Sequence, residues 1–211
     1  MIYEIRTYDL KPRSQPEVEK RFGEAYEKRQ RLSAPAAFWH TDIGPLDQLV
    51  HVWPYLGLAQ RDRVQVEAEK AKVWPPDIGE FVVRMRSDIM IPFPCSPELK
   101  PGKMGPCFEM CTYTYVSGHL PTIMRVWEAA LPGRLKLGPL CGIWYSELGG
   151  NLYNFIHIWG YPTLDERNGI LDQARASGIW PPSSKAGDGG AYTLLAQENK
   201  IMAPASFSPL Q

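Results

Sequence analysis

The chain contains 211 residues, enough for one large or two small domains. Apolar residues make up 44% and charged residues 22%, which is typical of a globular protein. The 23 basic and 23 acidic residues cancel, which argues against nucleic acid or an anionic membrane as a partner. We find no apolar run long enough to span a membrane and no export-signal pattern at the N-terminus, so we expect a cytoplasmic protein.

The first half of the chain begins with a strand and a helix. Residues 2–8 alternate between two faces, as in a strand. Residues 14–17 have the Ser-x-x-Glu pattern of a capping box, which predicts a helix start. The spacing that follows is that of one apolar helical face, carried by Val18, Phe22, Ala25 and Tyr26.

A hairpin, a helix and a strand complete this half. Residues 38–55, FWHTDIGPLDQLVHVWPY, contain two β-prone runs on either side of a Gly44-Pro45 turn. Residues 58–72 predict a second helix, which Trp74-Pro75-Pro76 stops because proline cannot continue a helix. Residues 81–91 predict a last strand. The order β-α-β-β-α-β is that of a ferredoxin-like unit.

The second half of the chain repeats the first. FEMCTY at 108–113 matches YEIRTY at 3–8 with an offset of 105 residues. The second hairpin, 143–161, raises the offset to 106, which indicates one residue inserted near Gly149-Gly150. The last strand raises the offset to 112, so about six residues are added in the loop at 185–190.

These repeats predict an α+β fold with two tandem ferredoxin-like (β-α-β-β-α-β) repeats. The first occupies residues 1–94, a Pro/Gly-rich linker occupies 95–106, and the second occupies 107–211. Each predicted antiparallel sheet carries helices on one face only, so its other face needs a cover. We therefore expect the two sheets to face each other and form an intramolecular dimeric α+β barrel.

The four cysteines are Cys95, Cys107, Cys111 and Cys141. None forms a Cys-x-x-Cys pair, and we find no additional residues at zinc-ligand spacing. We predict free thiols and no metal site.

Several segments resemble the NIPSNAP family: MIYEIRTY at 1–8, FW with GPLDQLVHVWPY within 38–55, and ENKI at 198–201 with the nearby Pro204 and Ser208-Pro209-Leu210. The first copy is the closer match, since Cys111 replaces Arg6 in the second. The resemblance implies the dimeric α+β barrel fold. Animal members are associated with mitochondria and vesicle traffic, and related barrels include cofactor-free monooxygenases and haem enzymes.

Strand alternation predicts which side chains share a face. We expect Tyr3, Ile5 and Thr7 to meet the helices, which turns the other face of that strand toward the barrel interior. Val50 and Val52 suit the helix side by the same reasoning. The candidate ligand-binding residues in both repeats are then Glu4, Arg6, Tyr8, Trp39, His51, Trp53, Glu109, Tyr113, Trp144, His157 and Trp159.

Polar groups inside a barrel have two interpretations. Glu4 and Arg6 can form a structural ion pair, with the histidines as hydrogen-bond partners, and we favour this over a catalytic role. Alternatively the interior binds a small molecule, and a histidine of near-neutral pKa acts as general base in a cofactor-free, monooxygenase-like reaction.

Two further hypotheses follow from the resemblance. We predict no cofactor, and one alternative is a haem-binding barrel with His51 or His157 as the iron ligand. The other is a non-catalytic interaction module like the vesicle- and mitochondria-associated members. A homo-oligomer is compatible with either. We find no strong catalytic motif in the sequence.

Overall fold

The structure, a computed structural model, describes residues 1–178, 180–182 and 194–211. The first repeat contains β1 (Ile2–Leu10), α1 (Gln15–Arg29), β2 (Ala37–Ile43), β3 (Gln48–Tyr55), α2 (Leu58–Lys70) and β4 (Val82–Pro92). The second repeat contains β5 (Cys107–Tyr115), α3 (Leu120–Leu135), β6 (Leu140–Leu148), β7 (Asn154–Tyr161), α4 (Leu164–Ala176) and β8 (Leu194–Pro204). Both repeats have the predicted order of elements.

The strands form one closed antiparallel barrel. Its order is β1-β3-β2-β8-β5-β7-β6-β4, so each repeat contributes a sheet of the same internal order. The sheets join where β2 pairs with β8 and where β4 pairs with β6. The predicted intramolecular α+β barrel is confirmed.

Local details of the prediction differ in outcome. The hairpin loop is one residue longer in the second repeat, 149–153 against 44–47, as predicted. The capping box at 14–17 is wrong, because the Ser14 hydroxyl donates to the Lys11 carbonyl at 2.6 Å instead of capping α1. The predicted insertion at 185–190 lies outside the described residues.

The barrel interior is an apolar contact between the two sheets. Tyr3, Ile5, Val50 and Val52 of the first repeat form one buried cluster with side chains of the second repeat, among them Phe108, Met110, Ile156 and Ile158. Trp39 and Trp144 also lie inside: their rings contact Phe108 at 5.3 Å and Tyr3 at 5.4 Å between centroids.

The predicted facing of the polar residues is therefore wrong. Tyr8 and His51 contact Phe22 of α1, which places that face of the sheet against the helices. Both faces of this sheet are buried, so alternation separates them without showing which one meets the other sheet. The residues that lie between sheet and helices, rather than in the interior, are Glu4, Arg6, Tyr8, His51, Trp53, Glu109, Tyr113, His157 and Trp159.

The two ends of the barrel differ. One end is closed by the linker and the C-terminus, which place Leu99, Met104 and Leu210 against the interior cluster. Backbone hydrogen bonds hold these segments together, including Gly102 N–H to the Pro209 carbonyl at 3.0 Å. The other end is open and polar.

The cysteines are free thiols, as predicted. Within the described ranges, no group of three or more His, Cys, Asp or Glu side chains is arranged to hold a metal ion. In the same part of the chain, the helices are all too short or too polar to cross a membrane.

Candidate ligand-binding site

Glu4 is the centre of a buried polar network in the first repeat. Its Oε1 accepts hydrogen bonds from Arg6 Nε at 2.9 Å, Arg61 Nη2 at 2.8 Å and Ser87 Oγ at 2.6 Å. Burial opposes ionisation of Glu4, but Arg61, Arg6 and Ser87 together hold its pKa below the ordinary value. The network joins β1, β4 and α2, so it fixes α2 on the sheet.

Glu109 occupies the equivalent place in the second repeat. Its Oε1 accepts from Asn199 Nδ2 at 2.8 Å and from Arg167 Nη2. Cys111 stands where the first repeat has Arg6. The second carboxylate therefore has one arginine partner fewer, and the space beside it is not crossed by a guanidinium.

Each repeat also contains a histidine fixed by a tryptophan two residues later on the same strand. The indole N–H of Trp159 donates to His157 Nδ1 at 2.8 Å, and Trp53 donates to His51 in the same way. An indole can only donate, so Nδ1 accepts and the neutral ring carries its proton on Nε2. Nε2 has no partner in either ring among the described residues.

The expected near-neutral histidine pKa is wrong. Burial, with the nearby Arg134 charge, lowers the pKa of His157 to about 3. Burial, with Arg6 and Arg29, lowers that of His51 well below its ordinary value. Both rings are neutral donors at Nε2, so neither can remove a proton from a substrate through that atom. Haem fits no better, because iron needs a free ring lone pair and Nδ1 is already engaged.

A buried arginine from the helix layer completes each site. Arg29 of α1 and Arg134 of α3 are fully buried, and each guanidinium lies over a tryptophan ring, Trp53 at 4.2 Å and Trp159 at 4.0 Å. Arg134 Nη2 donates to the Tyr161 hydroxyl at 2.8 Å. Burial lowers the pKa of both arginines.

The two arginines differ in what remains unpaired. Arg29 Nη1 donates to the Ser33 carbonyl at 2.7 Å, so among the described residues only its Nε lacks an acceptor. Among the described residues, Arg134 Nη1 and Nε have no acceptor. A buried N–H without an acceptor is destabilising, so this site is polar and unsatisfied.

A cavity of about 310 Å³ lies at this place, and we call it the second-repeat cavity. It is bounded by the outer faces of β5, β7 and β8 and by α3 and α4. Its wall consists of Glu109, Cys111, Tyr113, Arg134, His157, Trp159, Tyr161, Arg167, Leu171, Arg175, Trp180, Pro181, Gln197, Glu198 and Asn199.

The structure thus brings four of the predicted site residues together in one cavity and places the others elsewhere. Glu109, Tyr113, His157 and Trp159 line the second-repeat cavity. Glu4, Arg6, Tyr8, His51 and Trp53 form the equivalent, filled layer of the first repeat, and Trp39 and Trp144 belong to the barrel core. The sequence reasoning missed the helix arginines, although each recurs at the repeat offset: Arg29 with Arg134, and Arg61 with Arg167.

The fold and its two polar layers define a tandem-repeat protein of the dimeric α+β barrel class. The sequence profile of the NIPSNAP family matches residues 3–97 and 108–209, and the chain belongs to this family. Protein NipSnap homolog 3A of Homo sapiens is 26% identical, and the alignment covers 100% of this chain and 86% of that protein. Protein NipSnap of Drosophila melanogaster is 25% identical, with 100% and 79% covered.

A solved structure shares the fold over nearly the whole chain. It is described as a putative monooxygenase from Lactobacillus acidophilus and has a TM-score of 0.62 at 10% identity. The superposition covers 97% of this chain and 94% of that chain.

Proposed function

We propose that the chain binds a small organic molecule in the second-repeat cavity, through ligand oxygens that accept hydrogen bonds from Arg134 and His157. One observation carries the proposal. Two side chains on the cavity wall, 0% and 2% exposed, keep N–H groups that no described residue accepts. Unpaired buried donors in native proteins require an explanation, and a bound acceptor supplies one.

The wall chemistry favours an anionic ligand with a flat apolar body. Arg134 forms no ion pair with a described carboxylate, and its hydrogen-bonding partner Tyr161 is neutral. Trp159 and Trp180 provide aromatic surface beside the guanidinium. A carboxylate or phenolate attached to an aromatic ring satisfies both features, since charge-assisted hydrogen bonds are the stronger kind.

The first repeat explains why we assign one site rather than two. The Arg6 side chain extends along the outer face of β1 and donates to the Glu4 carboxylate of the same strand. At the position of Arg6 the second repeat has the short Cys111. The His51 ring is also covered, because Phe38 stacks on it at 4.9 Å between centroids, whereas Ile143 stands at the equivalent position. The equivalent donors of the first repeat are therefore enclosed by protein.

A thermal-shift experiment tests the proposal with benzoate, salicylate and 4-hydroxybenzoate as probes. We expect at least one to raise the melting temperature of the wild type, and Cys111→Arg to abolish the response by filling the cavity. Ser117→Arg adds the same charge at an exposed position just after β5 and serves as the control. An unchanged response in Cys111→Arg would contradict the proposal.

An oxygenase-like reaction in the same cavity is the finer version of this proposal. Its support is the fold shared with the putative monooxygenase and the presence of Glu109, a carboxylate on the wall that can accept a proton. Oxygen uptake should then be measured with every ligand that the screen identifies. We expect uptake with at least one ligand and its loss in Glu109→Gln.

The interaction-module hypothesis has less support from the surface. It requires an exposed apolar groove along the helices. The groove between α1 and the C-terminal segment is lined largely by polar side chains, including Gln15, Glu19, Lys20 and Glu24, with Phe207 as its aromatic member.

A further inference from the structure

The open end of the barrel contains a second cavity of about 360 Å³, which we call the barrel-mouth cavity. Its floor is the apolar interior, where Met90, Met110 and Ile156 end the buried cluster. Its walls are polar and come from both repeats. This cavity lies on the opposite face of the sheet from the second-repeat cavity.

Lys200 of β8 points into the barrel-mouth cavity. It pairs in register with Met110, whose side chain belongs to the interior, while its neighbour Asn199 pairs with Cys111 on the helix side. The two cavities therefore lie on either side of one strand. Lys200 is half-buried there, and its ammonium donates a hydrogen bond to Gln48 Oε1.

Lys200 is hydrogen-bonded to a neutral amide, that of Gln48. The acid next to this amide, Asp9, already forms an ion pair with Arg84. Gln48 Nε2 donates to Asp9 Oδ1 at 2.5 Å, while Asp9 Oδ2 accepts from Arg84 Nε at 2.7 Å. Among the described residues, Lys200 forms no ion pair with a carboxylate. An ammonium group that is half removed from water and bonded to an amide has no direct ionic partner, which leaves its burial only partly compensated.

The acids near the cavity attract the Lys200 ammonium, but none of the described ones pairs with it directly. Arg86 Nε donates to Asp88 Oδ2 at 2.8 Å, and Asp88 Oδ1 accepts from the Gly150 N–H at 2.9 Å. Glu198, two residues before Lys200, is exposed. Thr112 and Asn154 add neutral hydrogen-bonding groups to the wall.

We propose that the barrel-mouth cavity binds a small molecule bearing a carboxylate or phosphate group, with Lys200 as the cation that neutralises it. The cavity volume is within the range of small-molecule sites, and its wall offers an ammonium that no described carboxylate contacts directly, beside neutral polar groups. A bound oxyanion converts the Lys200–amide contact into a charge-assisted one.

The expected pH dependence follows from the state of the ammonium. Burial, with the nearby Arg86 charge, lowers the pKa of Lys200 to about 8, although the Asp9 and Glu198 charges oppose this shift. Anion binding needs the protonated form, so affinity should be highest below pH 8 and fall as the pH rises through that value. A site made only of arginines would keep its affinity to pH 9.5.

Isothermal titration calorimetry with inorganic phosphate, acetate and succinate at fixed ionic strength tests the site and separates phosphate from carboxylate ligands. We expect saturable binding of at least one anion at pH 7, weakened at least tenfold in Lys200→Gln and in the wild type at pH 9.5. Lys103→Gln, which changes an exposed lysine of the linker, should bind as the wild type does.

A second measurement locates the binding and works without a variant. Reductive ¹³C-methylation of the wild type gives each lysine an NMR signal, and the Lys200 signal should move on anion addition while that of Lys103 stays in place. This signal reports on the barrel mouth alone, independently of the second-repeat cavity. No saturable binding, unchanged affinity in Lys200→Gln, or a stationary Lys200 signal would each overturn the proposal.

Discussion

The two repeats place the same kinds of side chain at the same positions, and yet one site is filled and the other is hollow. Both have a strand carboxylate bonded to an arginine of the second helix, a histidine held by a tryptophan, and an arginine of the first helix over that tryptophan. The two layers differ at several positions, and two of these concern the space beside the polar groups. Arg6 becomes Cys111, and Phe38 becomes Ile143.

The comparison assigns the shared side chains to stability and the differing side chains to ligand binding. The shared groups join each sheet to its helices, so a role in holding the fold explains their presence in both repeats. The Arg6 position decides whether space remains beside them. In the first repeat its guanidinium completes the network of Glu4, and in the second the short thiol leaves space, so that the unpaired donors of Arg134 and His157 lie on a cavity wall.

The largest expected effect comes from removing the carboxylates in turn. Glu4→Gln leaves Arg6 without its counter-charge in a buried network and leaves Arg61 with only the exposed Asp62, so it should cost about 3–5 kcal/mol of unfolding free energy. Glu109→Gln affects one arginine, Arg167, at the edge of a cavity, and should cost about half as much. Urea unfolding of both variants measures the difference, and equal losses would contradict the comparison.

Arg6→Cys should make the first repeat resemble the second. Glu4 keeps Arg61 and Ser87, so we expect a loss of about 2–3 kcal/mol, the range for a hydrogen bond to a charged group. Phe38 still covers His51, so the variant should gain no ligand response in the thermal-shift screen. A double variant, Arg6→Cys with Phe38→Ile, should gain one, and failure of the double variant would mean that other residues define the cavity.

Acid pH tests what the two repeats share. The folded-state pKa values of His51 and His157 lie below the ordinary 6.5, so the unfolded state binds more protons as the pH falls below 6.5, down to about 3 for His157. Stability is therefore lost as the pH falls below 6.5, and His157 alone should account for about 2 kcal/mol of the loss between pH 6.5 and 4.5. Urea midpoints at both pH values give the loss, and His157→Phe should remove the part that this histidine contributes. A pH-independent midpoint would contradict the neutral assignment.

The sequence predicted the architecture well because two copies with matching offsets must have the same order of helices and strands. Matching offsets at 3–8 with 108–113, and again across the hairpins, required two copies of one unit, and the uncovered sheet faces required them to meet. The facing of the strands failed for a physical reason. The strands that carry these residues, β1, β3, β5 and β7, are buried on both faces along most of their length, so burial does not identify the interior.

The candidate site was half predictable. Glu109 and His157 stood out because they share a strand face with aromatic residues. Arg134 and Arg167 come from helices, where an arginine usually indicates a solvated face, and only packing shows that Arg134 is buried over Trp159. The cavity itself follows from the missing side chain at Cys111, which a list of polar residues does not reveal.

The smallest expected effect separates the two histidines. In His51→Phe the new ring keeps the stacking with Phe38 and Tyr8, and the Trp53 indole loses its acceptor, so we expect a loss of about 1–2 kcal/mol. His157→Phe should cost a similar amount but should also weaken the thermal response to the probe ligands, because it removes a donor from the second-repeat cavity. His119→Phe, at the N-terminal end of α3, changes a residue outside both layers and should stay within about 0.5 kcal/mol of the wild type with a full response. Suppression of the response by His51→Phe would place the ligand in the first repeat and reverse the assignment of the two sites.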